Sequence, residues 1–177
     1  MFRKIKHITI TSIIWIILSH NLSAQQFSEN EVKAAFICNF TKFVEWPENT
    51  FTSGTSPIVI GFLNDSVLAS IAKRMASAIK ANGRAIQIVE YKNIDEITRC
   101  HILYINPFAG NISAVINRFS GIPVLTVSET EGFCKQKGMI NFSKKKTKFG
   151  FEINDKSARE AGLKISSKLL GLATIIE

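Results

Sequence analysis

Proton-transfer, nucleophilic and metal chemistry draw on histidine, cysteine and carboxylate side chains held at convergent spacing, and this chain is sparing with the first two. Its 177 residues include three histidines and three cysteines. His7 and His20 fall in a basic and apolar N-terminal stretch, which leaves His101 as the single histidine of the body of the chain. His101 opens the apolar run "CHILYIN", a setting that favours a structural or surface imidazole over a catalytic one. A zinc site would need a second histidine or a cysteine cluster beside it. Acyl transfer would need a nucleophile next to His101, and the chain has no G-x-S-x-G turn. Neither a G-x-G-x-x-G run nor a P-loop offers a phosphate cradle. Glu129 and Glu131 sit in a polar loop, where carboxylates are solvated by default. The expectation is a protein that is not an enzyme, with no catalytic residue, cofactor or metal ion.

The cysteines, Cys38, Cys100 and Cys134, match no zinc or redox spacing, and their odd number leaves at least one unpaired within the chain. Cys38 falls inside a helical pattern as a small core residue. Cys100 and Cys134 can pair only if the fold brings them together. At the N-terminus, basic Arg3, Lys4 and Lys6 precede an apolar run over residues 8–18 and then "NLSA". That layout predicts a secretory signal peptide over residues 1–24 and a mature domain over 25–177. The apolar run is short for a bilayer span. Removing residues 1–24 lowers the formal charge from +8 to +5. The remainder suits an anionic partner or membrane surface, and is too diffuse to indicate nucleic acid.

The elements that position these residues follow from periodicity. Ser28 and Glu31 form an S-x-x-E capping box that opens a helix over 29–45, with Val32, Phe36, Phe40, Phe43 and Val44 on its inward stripe. Ile37 and Trp46 fall off that stripe as exposed contacts, and Pro47 ends the segment. Apolar runs predict strands over 57–63, 85–91, 100–106 and 123–128, separated by helices over 67–80 and 112–119. This alternation implies parallel strands. "MINFS" and "KFGFEIN" then flank the basic tip "KKKT" as a hairpin, and Asp155 caps a last helix reaching residue 176. The predicted fold is α/β, a single three-layer domain with a mostly parallel sheet flanked by helices and a C-terminal β-hairpin plus helix.

The series "EVKAAFICNFTKFVEWP", "IVIGFLNDS", "NGRAIQI", "CHILYI", "GIPVLTVSETEGF", "GMINF", "FEIN" and "AGLKISSKLLGLA" resembles, in order, the segments of the YfiR family. The resemblance implies a periplasmic, non-catalytic regulator, dimeric, that binds and represses an inner-membrane signalling protein such as a diguanylate cyclase, and so acts in cyclic-di-GMP signalling. Cys100 and Cys134 fall in segments like those where the family's cysteines lie, and neither "IVIG" nor "GMINF" supplies a local partner. The alternative is an exported small-molecule-binding module that senses a ligand for a membrane receptor.

Two sets of site residues follow. Partner contact is expected in the segment 142–170, at Phe142, Phe151, Glu152, Lys164 and Lys168. Glu152 alternates away from Phe149, Phe151 and Ile153, and its other role is a clamp to Arg84 or Lys168, since a buried carboxylate needs a cation or several donors. The run "KKKTK" is either a solvated tip or an attractor for anionic lipid or an acidic partner surface. Ligands of open parallel sheets bind beyond the carboxyl ends of strands. That places possible ligand loops at Asn64, Asp65 and Ser66 and at Ser128 and Glu129, although Asp65 or Ser66 equally serves as a helix cap.

Overall fold

The computed structural model describes residues 28–145 and 148–176, and the expected leader lies outside them. Ser28 caps the first helix, α1 (Glu29–Phe40): its hydroxyl accepts from the Glu31 N–H, and Glu31 accepts from the Ser28 N–H at 2.8 Å. A short strand β1 (Val44–Glu45) follows, then β2 (Ile58–Leu63), α2 (Ser66–Ala76), β3 (Lys80–Ala81) and β4 (Arg84–Tyr91). Next come β5 (Ile102–Ile105), α3 (Ile112–Arg118) and β6 (Leu125–Ser128). The C-terminal part holds β7 (Ile140–Lys145), β8 (Lys148–Ile153), α4 (Asp155–Glu160), β9 (Lys164–Ile165), α5 (Ser167–Leu170) and β10 (Thr174–Ile175).

Eight strands form one sheet in the order β10-β8-β7-β6-β5-β2-β4-β3, and β1 pairs with β9 apart from it. The β2, β4, β5, β6 and β7 neighbours are parallel, whereas β7–β8 and β3–β4 are antiparallel. Parallel strands must be covered on both faces, which explains their unbroken apolar runs. Alternate residues of β5 enter two separate cores. Ile102 and Tyr104 join α1 and α2, while Leu103 and Ile105 join Val115, Ile116 and Phe119 around α3. The chain is thus a mixed α/β protein with a mostly parallel sheet.

The structure corrects three expectations. First, α1 ends at Phe40, because Val44 and Glu45 are drawn into antiparallel pairing with Ile165 and Lys164. Second, Phe40 and Val44 are buried as expected, but the rest of the inward face is the smaller-residue stripe Ala34, Ile37, Cys38 and Thr41. Val32, Phe36 and Phe43 are only partly covered. Small side chains let two elements approach closely, and the Cys38 Sγ lies 3.8 Å from the Ala72 carbonyl of α2. Ile37, expected at the surface, has no exposure at all.

Third, no single helix runs from Asp155 to residue 176. Asn154 rather than Asp155 caps α4, accepting from the Ser157 N–H at 2.8 Å. Gly162, with φ +77°, takes the left-handed conformation that ends a helix at little cost, and the Leu163 N–H closes back on the Ala158 carbonyl at 2.9 Å. β9 and β10 then compete successfully for the following residues, and β10 lies parallel to β8 at the edge of the sheet. All three cysteines are buried free thiols.

The burial of Ile37 sets a test. Ile37→Ala should lower stability by about 2–5 kcal/mol through lost contacts and a residual cavity, whereas exposed Lys42→Ala should stay within about 0.5 kcal/mol. Urea denaturation of the two variants measures the difference.

Candidate functional site

The loops at the carboxyl ends of β2, β5 and β6 do converge, and their polar atoms are engaged with one another. Asp65 Oδ1 accepts from the Leu68 N–H at 2.9 Å and caps α2, while its Oδ2 accepts from Asn106 Nδ2 at 2.9 Å. Ser66 is the first residue of that helix. Asn64, at φ 58°, passes its N–H to the Tyr91 carbonyl at 2.8 Å. Ser128 donates to the Ile105 carbonyl at 2.8 Å. Glu129 receives the Tyr104 hydroxyl at 2.8 Å and the Lys33 ammonium at 2.6 Å, and Lys33 also meets Glu29 at 3.3 Å.

Burial, followed by the neighbouring Glu129 carboxylate, pushes the Tyr104 phenol up, so it stays a donor. Lys33 is the cation that sequence pattern hid, since a lysine on an amphipathic helix reads as solvated. Its one visible signal was the Glu29–Lys33 spacing of four residues. This cluster ties α1 to the end of the sheet.

A different feature opens on the other flank of α1. Val32, Phe36, Phe40 and Phe43 line an apolar groove of about 480 Å³ with Met75, Leu169 and Leu172. Its floor is a run of aromatic rings. Phe36 packs against Phe149 at 5.8 Å and Phe151 at 5.5 Å between centroids, and Phe40 stacks on Phe142 at 6.1 Å. Leu172 stands at the lip, 71 % exposed. Phe36 and Phe43, left partly covered beside the buried face of the segment, contribute much of its wall.

The residues expected to touch a partner divide accordingly. Phe142 and Phe151 are each only 4 % exposed, so their side chains support the groove from beneath rather than present a surface. Lys164 on β9 and Lys168 on α5 are exposed. Glu152 is half-buried on β8, opposite Asn141 and Thr174. Its clamp to Arg84 does not form, because Arg84 donates to the Ser53 and Ser56 carbonyls at 3.0 and 2.9 Å and lies over the Phe51 ring. The tip "KKKT" falls in part outside the described residues.

His101 sits at the opposite, amino end of the strands and is 3 % exposed. Its ring stacks on Phe51 at 4.7 Å and meets the edge of Trp46 at 6.0 Å, and Nδ1 accepts from the Val59 N–H at 3.0 Å. Burial, helped by the Arg99 and Arg84 charges, lowers its pKa to about 4. No group of three or more metal-capable side chains occurs among the described residues, nor is any helix there long and apolar enough to cross a membrane.

A family model described as YfiR/HmsC-like matches residues 30–174. No curated protein matches the chain in sequence.

The buried imidazole makes stability depend on pH. Its folded pKa of about 4 lies below the ordinary 6.5, so unfolding takes up a proton between those values. Stability is then full above about pH 6.5 and declines as pH falls toward 4, by about 2 kcal/mol at pH 5. Urea midpoints at pH 7 and pH 5 should show this loss in the native chain and a smaller one in His101→Gln.

Proposed function

Since the chain belongs to the YfiR/HmsC-like family, we propose that it is an exported regulator that works by binding. It acts in the periplasm, docks on the periplasmic part of an inner-membrane signalling protein and holds that protein in its inactive state. Cyclic-di-GMP signalling through a diguanylate cyclase is the output that family membership favours. The chain performs no reaction of its own: regulation comes from differential affinity for two partner conformations, since equal affinity for both would shift nothing.

The observation that carries this proposal is the apolar groove beside α1, with Leu172 raised at its lip. An amphipathic helix of the partner fits it, by the mode in which apolar side chains spaced along one helical face enter a hydrophobic trough. Lys164 and Lys168 lie exposed on the C-terminal elements that include Leu169 and Leu172, so an acidic rim on that helix is favoured. Phe142 and Phe151 contribute by fixing Phe36 and Phe40. Glu152, next to the edge strand β10, belongs to the same proposed surface.

Leu172 offers the cleanest test, because it is exposed and folding hardly depends on it. Leu172→Glu should leave the melting temperature essentially unchanged and weaken capture of the membrane partner about tenfold or more, the size expected for a central contact. Lys168→Ala should have a smaller effect that fades at high salt. Pull-down from solubilised membranes with the tagged chain, read alongside cyclase output, measures both. Undiminished capture and repression by Leu172→Glu would remove the groove from the interface.

A further inference from the structure

A second cleft, of about 420 Å³, opens at the amino ends of the strands, away from the groove. Its size is in the range of small-molecule sites. Arg99, Arg118 and Thr98 line one part of it, and Phe119 and Ile122 give it an apolar wall. Carboxylates are absent from the lining. The Arg99 guanidinium has no hydrogen bond or ion pair among the described residues. Arg118 is paired at 3.2 Å with Asp95, whose side chain is almost wholly solvated, so that pair exchanges readily.

His101 supplies an independent sign of a ligand. Because Nδ1 accepts the Val59 N–H, the neutral ring carries its proton on Nε2. That Nε2 is buried, and no protein atom accepts from it. The Thr50 backbone lies near enough to favour the ring's proton as a hydrogen-bond acceptor, although not at full hydrogen-bond geometry to Nε2. Buried polar groups short of a full hydrogen bond are rare in native proteins, and each needs an explanation. The imidazole is held rigidly between Phe51 and Trp46, so it cannot turn to find a better acceptor. Arg99, His101 and Thr50 also line an adjoining cleft of about 200 Å³, which makes this donor set the wall between two spaces.

We propose that this cleft binds a small organic oxyanion, a carboxylate or phosphate on an apolar body, with Arg99 and Arg118 holding the anion, His101 Nε2–H donating to it, and Phe119 and Ile122 packing the body. Arginine suits both headgroups because its planar fork donates two parallel hydrogen bonds. Charge-neutral analogues bind poorly, since they offer Arg99 no anionic partner and Arg118 none better than the solvated Asp95. The site is separate from the ligand loops at the carboxyl ends of the strands and from the docking groove, so it stands or falls independently of the partner.

Titration of the full chain with benzoate, phenyl phosphate and neutral benzamide tests this by calorimetry and by the His101 imidazole ¹⁵N signals, assigned by their loss in His101→Gln. At least one of the two anions should bind with a stoichiometry of one and move the Nε2 resonance, and benzamide should not. Whichever anion binds more tightly names the headgroup. Arg99→Gln, an exposed and partnerless position, should weaken binding about tenfold or more at unchanged melting temperature; Arg118→Gln should act in the same direction. Binding that leaves the Nε2 resonance still, or that survives Arg99→Gln at full strength, overturns the site. So does the absence of binding by either anion up to about 10 mM.

Discussion

The close approach of α1 to α2 and the sheet is the constraint on which the rest of the molecule depends. It is possible because the inward stripe of α1 is built from Ala34, Ile37, Cys38 and Thr41 and meets the buried alanines of α2. With these residues and Phe40 inward, Phe36 and Phe43 are left at the flank of the helix, only partly covered. Phe36 and Phe40 meet rings from β7 and β8, and a part-covered apolar channel results.

The two ends of the sheet have been put to different uses. At the carboxyl ends Lys33, Tyr104 and Glu129 satisfy one another and fasten α1 in place. A buried lysine is stable only while its carboxylate partners remain, so Glu29 and Glu129 are what hold Lys33 there. At the amino ends the balance is reversed: Arg99 and Arg118 line the cleft beside His101, and no carboxylate is among its lining residues. Ligand sites in open parallel sheets usually occupy the carboxyl side, and here that side is already filled by the protein's own side chains.

Much of the scaffold was legible in the sequence. The apolar runs gave β2, β4, β5 and β6 within a few residues, and the Ser28–Glu31 box located the start of α1. Side-chain size misled the assignment of faces, because period alone ranks Phe36 above Ala34 as core, and only the distance between α1 and α2 decides otherwise. The C-terminal helix failed for a similar reason. Residues 155–176 carry apolar positions at helical spacing, but Gly162 breaks the run, the distant β1 claims Lys164–Ile165, and β8, about twenty residues earlier, claims Thr174–Ile175. Neither the groove nor the amino-end cleft was visible, since each is assembled from segments far apart in sequence.

One consequence follows from the two-residue pairing of β1 with β9. It joins Val44 to Ile165, about 120 residues apart, next to the very segments that border the groove. Contacts with so large a separation close a long loop and tend to form late in folding. A folding chain would then carry α1 and its neighbours before it carries a complete recess, because Leu169 and Leu172 follow the segment that makes that closure. The recess is in this sense a mark of finished folding, since it exists only once the two ends of the chain have met.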